Sequence, residues 1–189
     1  MKIIAGELKG RRLVTPRGER TRPTADQVRI ALMDTLAPAM DGARVLDLFA
    51  GAGGVGLEAL SRGAAHATFV ERAAAAVAAL EENVIALGVT DRARVLRADA
   101  RRALGRLTRE GTRFEVIFLD PPYETALVQS TLVQLGAGEV TTPDAFVVVQ
   151  HFTKRPPASR VGVLTAYRAR RFGETTLTFF RAGGYDAPS

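Results

Sequence analysis

Arg44-Val45-Leu46-Asp47-Leu48-Phe49-Ala50-Gly51-Ala52-Gly53-Gly54-Val55-Gly56 is the stretch that decides the fold. Val45–Leu48 is a short apolar run of strand length, and the glycines at 51, 53 and 56 open into a helix through about Ser61. Without Cβ atoms the backbone can turn tightly at the carboxyl edge of a strand and touch a ligand there. That spacing alone is shared by nicotinamide, flavin and S-adenosylmethionine proteins. An acidic residue about 20 positions later, at the end of a second strand, would bind ribose hydroxyls. Glu71, closing the run Ala67–Glu71, stands there.

Downstream the same rhythm repeats. Ala73–Leu87 is an alanine-rich helix stopped by Gly88. Ala93–Ala98 is a third strand, and Asp99 at its end can accept from an adenine amino group, cap the following helix, or do both. That helix runs to about Thr108, Phe114–Leu119 is a fourth strand, a helix spans about Thr125 to Leu135, and a strand lies at Ala145–Gln150. Strands alternating with helices through short links predict an α/β, doubly wound, mostly parallel sheet. The tail breaks the alternation. Val161–Arg170 and Thr175–Arg181 read as two strands joined at Phe172-Gly173-Glu174, an antiparallel pair on the sheet edge. At the start, Lys2–Val14 alternates weakly and reads as a small hairpin. Thr24 offers an N-cap with Gln27 three residues on, and Val28, Leu32 and Leu36 follow at helical spacing until Pro38.

Composition narrows the classes. The 189 residues include no cysteine, which excludes disulfides, thiolate metal sites and a cysteine nucleophile. No apolar run reaches membrane-spanning length and no leader-like segment precedes the first strand, so a soluble, cytoplasmic protein is expected. The net charge of +6 is unevenly spread, with residues 1–29 at +5, 30–149 at −4 and 150–181 at +6. Two basic ends around an acidic centre suit a polyanion, because clustered Lys and Arg release condensed counterions on meeting phosphates. A merely solubilising surface is the competing explanation.

Asp120-Pro121-Pro122-Tyr123 follows the apolar strand Val116-Ile117-Phe118-Leu119 and carries the chemistry. Two prolines forbid helix and supply no N–H, so the corner is stiff and its carbonyls face outward. An exocyclic base amine is a poor nucleophile because its lone pair is conjugated with the ring. A carboxylate and a backbone carbonyl accepting its two hydrogens favour a pyramidal nitrogen, and Asp120 and Pro121 supply those acceptors. Tyr123 would stack on a base lifted out of its helix. Methylation at a pyrimidine carbon generally needs a cysteine adduct, and there is no cysteine, so nitrogen is the target.

Asp47-Leu48-Phe49-Ala50-Gly51-Ala52-Gly53 and Gly56-Leu57-Glu58-Ala59-Leu60-Ser61-Arg62-Gly63-Ala64 resemble the bacterial 16S ribosomal RNA guanine-N2 methyltransferases, which modify guanine 966 in the customary RNA numbering. The resemblance extends to Ile3-Ile4-Ala5-Gly6, Gly10-Arg11-Arg12-Leu13, Arg22-Pro23-Thr24 and Phe172-Gly173-Glu174-Thr175, nearly the whole chain. It implies a seven-stranded methyltransferase sheet and S-adenosylmethionine as donor, with S-adenosylhomocysteine as product and no metal. It also implies that Asp47, Phe49, Gly51, Gly53, Glu71, Asp99 and Ala100 hold the cofactor. The implied acceptor is the 2-amino group of a guanine in small-subunit RNA, partly or fully assembled, and a monomer is the default expectation. Ala52 departs from a serine common in the family, and Gln150 from a glutamate frequent before the histidine, which leaves Gln150 and His151 without assigned roles.

The resulting organisation is a basic extension over residues 1–22, a methyltransferase domain over 23–183 and a tail over 184–189. Lys9, Arg11, Arg12, Arg17, Arg20, Arg22 and Arg29 are the expected RNA contacts, with a solvated arm as the alternative. Arg22 and Arg29 could instead close over the cofactor's carboxylate. Two other functions fit parts of the pattern, a DNA adenine-N6 or cytosine-N4 methyltransferase and a non-catalytic RNA-binding assembly factor. The first lacks room for a target-recognition region, and the second has no use for an intact Asp120 and glycine turn. A nicotinamide enzyme lacks room for a substrate domain.

Overall fold

The computed structural model describes residues 1–16, 23–121 and 125–183, without the side chains of residues 23–25 and 125. In chain order the elements are α1 (Pro23–Leu36), β1 (Arg44–Asp47), α2 (Gly54–Ser61), β2 (His66–Glu71), α3 (Ala74–Leu87) and β3 (Ala93–Arg97). There follow α4 (Ala100–Arg109), β4 (Phe114–Leu119), α5 (Thr125–Gly136), β5 (Thr141–Phe152), β6 (Arg160–Val161), β7 (Leu164–Phe172) and β8 (Thr175–Ala182).

The strands form one sheet in the order β3-β2-β1-β4-β5-β8-β7-β6. β1 to β5 are parallel, and β8, β7 and β6 add antiparallel on the β5 side. The chain steps outward from β1 to β3 and then returns to place β4 on the other side of β1. The crevice where ligands bind in such sheets therefore lies beyond the carboxyl ends of β1 and β4. Asp47 ends β1 and Asp120 is the first residue past β4.

Strand alternation builds a core on each face. On β4, Val116 and Phe118 point into a cluster with Leu57, Leu60, Phe69, Leu80 and Phe179 under α1, α2 and α3. Ile117 and Leu119 point the other way, to Leu104, Leu107, Leu132 and Phe180 under α4 and α5. With both faces covered, the central strands read as continuous apolar runs, as parallel strands in such folds do.

Two details differ from expectation. The sheet has eight strands rather than seven, because Gly162, at φ +56°, turns the chain between Val161 and Leu164. The single strand expected over Val161–Arg170 thus becomes β6 and β7. Helix α1 opens at Pro23, so Thr24 lies inside it and is not the cap. Proline suits the first helical turn, where its missing N–H would have no partner. The N-terminal hairpin is compact, with one antiparallel bridge between Lys2 and Arg12.

That hairpin is held by a feature the sequence did not announce. Glu58, fully buried on α2, accepts from the Ile4 N–H (2.8 Å), the Ala5 N–H (3.0 Å) and Arg62 Nε (2.9 Å). Ser61 adds a second clasp, accepting from the Leu8 N–H and donating to the Ala5 carbonyl. Gly6 passes so close to the Ser61 backbone that a Cβ would sit 1.7 Å from its carbonyl oxygen. A solvated arm is therefore not what residues 1–13 form.

Candidate active site

The turn after β1 is built by its glycines. Gly51 (φ +52°) and Gly53 (φ +88°) take left-handed backbone, and the Gly53 N–H closes the turn on the Ala50 carbonyl at 2.7 Å. A Cβ on Gly53 would meet Leu80 at 2.4 Å, and one on Gly56 would meet the Phe69 ring at 2.3 Å. A Cβ on Gly51 meets nothing within 4 Å. Two glycines therefore let α2 seat on the core, while the third leaves open space above the turn.

The acids expected at the crevice are arranged around this turn. The Asp47 side chain is buried, and its Oδ2 accepts from the Gly56 N–H at 3.2 Å. Its Oδ1 is buried with no hydrogen-bond partner among the described residues. Burial first, then the nearby Asp120 and Glu71 charges, push the Asp47 carboxyl up to about 7 against the opposing pull of backbone N–H groups. Glu71 binds the loop rather than solvent, with Oε2 accepting from the Gly51 N–H (2.9 Å) and Oε1 from the Arg72 and Ala73 N–H groups (both 2.8 Å). Asp99 caps α4 by accepting from the Arg101 N–H at 3.0 Å, with Ala100 buried behind it. Phe49 is half-buried against the α4 side of the core.

Asp120 stands across the crevice with Pro121 buried beside it. Protein packed around the strand end pushes its carboxyl up to about 7. The residue surface is nevertheless open to solvent. Asp120 and Pro121 border a mainly apolar recess walled by Val128, Phe152, Pro156 and Pro157, into which Gln129, Arg155 and Thr175 also bring polar groups. Gln150 lines the same recess. The register Leu119–Val149, carried one residue on, puts it beside Asp120. His151 is fixed in place, with Nδ1–H donating to the Phe152 carbonyl and Nε2 accepting from the Thr178 hydroxyl, both at 2.8 Å. Burial lowers its pKa, and it borders the same recess.

The expected RNA contacts divide. Lys9, Arg11 and Arg12 are exposed on the hairpin, and Arg11 also donates to the Ala86 carbonyl. Arg29 is only 5% exposed, so it is not an RNA-facing charge. It donates to the Lys2 carbonyl (2.8 Å) and pairs with Asp26 (2.9 Å), and a Cβ on Gly54 would lie 3.1 Å from its Nη1. Its partners tie the start of the hairpin to α1, beside the first residue of α2. Tyr123, Arg17, Arg20 and Arg22 fall outside the described residues. Sequence reasoning missed Asn83, which donates to the Val14 and Ala52 carbonyls and accepts from the Val14 N–H, tying the hairpin to the glycine turn. An asparagine in an otherwise apolar helix stripe was its only signal.

A doubly wound sheet with this glycine turn, acidic strand end and carboxylate corner at its switch point is a class I methyltransferase fold. An Escherichia coli structure provisionally titled methyltransferase yhhF matches it with a TM-score of 0.85 and 32% identity, covering 96% of this chain and 97% of that one. The chain belongs to the family described as Conserved hypothetical protein 95, which it matches over residues 1–181, the family of ribosomal RNA small subunit methyltransferase D. Methyltransferase D of Escherichia coli K12 is 37% identical over 150 residues, 79% of this chain and 74% of that protein. A Bacillus subtilis protein provisionally named rRNA methyltransferase YlbH is 38% identical over 184 residues, 97% of this chain and 100% of its own length.

Proposed function

We propose that this protein transfers a methyl group from S-adenosylmethionine to the exocyclic 2-amino group of a guanine in 16S ribosomal RNA, the position numbered 966 in the related enzymes. The observation that carries the reading is Asp120, a carboxylate past β4 that opens on an apolar recess across the switch point from the glycine turn. The name and extent of the relatives support the RNA substrate.

The donor's chemistry is a methyl on a cationic sulfur, with an ammonium and a carboxylate at one end and an adenosine at the other. The residues present fit it. Asp47, Glu71 and Asp120 gather acidic groups at the crevice, which suits a ligand of net charge +1 that carries a sulfonium and an ammonium. The orphaned Asp47 Oδ1 has lone pairs to spare for a donor from the ligand. Glu71 spends three acceptances on its own loop, and a carboxylate has room for about four, leaving one for a ribose hydroxyl. Open space over Gly51 admits the ligand's body, and Asp99 retains acceptor capacity beyond its cap for an adenine amino group.

On the acceptor side, Asp120 and the Pro121 carbonyl accept the two amine hydrogens and direct the nitrogen lone pair toward the methyl. The new N–C bond forms as the S–C bond breaks, and the amine gives up one proton, for which Asp120 is the adjacent base. Apolar walls exclude water and hold the base, so alignment supplies most of the rate. Labelled donor incubated with DNA, free 16S RNA and undermodified small subunits tests the reading, with mass spectrometry locating the methyl group. Label on a small-subunit guanine at N2 is the expected result, and label on DNA alone overturns it.

A further inference from the structure

We propose that the outer flank of the C-terminal strands, carrying Lys154, Arg160, Arg168 and Arg171, is a second surface for the RNA phosphate backbone, separate from the N-terminal hairpin. The proposal rests on the RNA reading above. Three observations lead to it.

The first is uncompensated charge. Residues 150–181 hold seven Lys and Arg and a single acid, Glu174. Of the eight ion pairs among the described residues, seven lie in the first 115 positions, including Arg44–Glu115 and the Arg94 and Arg106 pairs with Glu110. The C-terminal segment contributes one, Arg181 with Asp144. Lys154, Arg160, Arg168 and Arg171 are exposed and have no acidic partner among the described residues. Like charges gathered without counter-charges repel one another, which is a cost to the folded protein unless a polyanion meets them.

The second is the open sheet edge. β6 covers only Leu164 and Thr165 of β7, so no strand flanks β7 from Arg168 to Phe172 among the described residues. The edge backbone there is flanked by arginines on both faces of the sheet. Arg168 lies on the face it shares with Arg170, which reaches α1 at Thr35, and Arg171 lies on the other. Guanidinium groups present donors in the geometry that phosphate oxygens accept. An acidic protein segment could match the charge. The presence of arginines on both faces of the edge favours a flexible polyanion over a pairing strand, since charged edges oppose strand addition.

The third is continuity with the reaction site. The connection after β5 carries Lys154, lines the recess at Asp120 through Pro156 and Pro157, and then runs to Arg160 beside β7. Thr175, next to the turn that Arg171 braces through the Gly173 carbonyl, lines the same recess. A strand entering the recess would thus meet this flank at once, while Lys9, Arg11 and Arg12 sit on the hairpin at the other side of α2.

The test is salt-dependent binding of a 16S RNA fragment to the full chain, read by fluorescence anisotropy between low and moderate salt. Wild type is compared with K154Q/R168Q, which breaks no hydrogen bond in the structure, and with K154Q/R168Q/R171Q. Each lost phosphate contact lowers the log–log salt slope by roughly 0.7–0.9, so the double variant is expected to lose about 1.5 and the triple about 2.3. KM for the small subunit should rise about tenfold or more with kcat within about twofold. Thermal midpoints should match wild type, since the side chains are exposed. If wild type methylates the RNA and both variants keep the wild-type slope and KM, the arginines only blunt a sheet edge and this inference falls alone. If wild type neither binds nor methylates RNA, the function proposed above falls with it.

Discussion

Three carboxyl groups, Asp47, Glu71 and Asp120, converge on the crevice, and their surroundings give them different work. Glu71 is held by three N–H groups and serves the loop. Asp120 is held by none of the described residues and faces the recess, so it is the group free to engage a substrate amine. Asp120→Ala is expected to abolish turnover while donor affinity, measured by calorimetry, stays within about tenfold of wild type, a change of about 1.4 kcal/mol. Turnover at the wild-type rate would remove the amine-acceptor role. Because the acceptor must be ionised and its carboxyl lies up at about 7, kcat/KM should climb as pH rises through neutrality and then level. Asp47 predicts a stability effect of opposite sense. Its folded pKa is raised from near 4 to about 7, so the folded protein binds that proton more tightly than the unfolded chain. That contribution is whole below pH about 4 and is lost as pH rises toward about 7. Asp47→Asn escapes the loss, and should gain on the order of 2 kcal/mol relative to wild type between pH 4 and pH 8, allowing for coupling to its neighbours. Urea unfolding at the two pH values measures it, and an equal difference at both would refute it.

The glycine turn shows at the level of the element why local signals were legible and others were not. Its spacing, the strand before it and the acidic residue after it are all sequence-near, and each emerged where it was read. Asp120 was legible for the same reason, as the residue just past an apolar strand, while Pro122 and Tyr123 lie outside the described residues. Arg29 was not, because its burial depends on the N-terminal hairpin folding over α1 and bringing the Lys2 carbonyl to it. Glu58 looked like an ordinary helix acid. Only its setting between Leu57, Ala59 and Leu60, apolar neighbours on every side, hinted that it is buried. β6 is two residues long, below what periodicity can resolve. Within the turn itself the glycines should separate by experiment. Gly56→Ala drives a methyl into the Phe69 ring and should cost roughly 1–3 kcal/mol of stability, as overpacking does. Gly51→Ala meets open space, so its stability cost is the left-handed backbone alone, about 1–2 kcal/mol. Its methyl protrudes where a ligand would lie, and donor affinity should fall more than tenfold. Thermal unfolding beside calorimetry on both variants decides this, and unchanged donor affinity in Gly51→Ala would place the ligand elsewhere.

Taken whole, the molecule does not divide where charge suggests. The basic N-terminal stretch reads as an appendage, yet Ile3 and Leu13 are 1% and 5% exposed and sit in the same core cluster as Leu57 and Phe69. The hairpin also supplies two of the three groups that satisfy buried Glu58, and Val14 shares Asn83 with the glycine turn. Removing residues 1–13 therefore opens a cavity and leaves a buried carboxylate with Arg62 as its remaining partner. Losing buried Ile and Leu side chains costs about 2–5 kcal/mol each, and an under-satisfied buried charge adds several more. Against a total stability of roughly 5–15 kcal/mol, that is most of what holds a domain together. A chain beginning at Val14 should thus unfold without a cooperative transition, or melt at least about 10 °C lower. Glu58→Gln in the full chain provides the graded comparison, because the amide keeps the shape but turns one acceptor into a donor facing N–H groups. It should cost about 1–3 kcal/mol and raise hydrogen exchange at Ile4, Ala5 and Leu8 before other amides. A truncated chain melting within two or three degrees of wild type, about 1 kcal/mol or less, would mean that the hairpin rests on the domain without stabilising it. Binding RNA through Lys9, Arg11 and Arg12 would then be a separate function of a detachable part. In the docked arrangement the same hairpin that carries Arg11 and Arg12 also braces the glycine turn, through Val14 and Asn83.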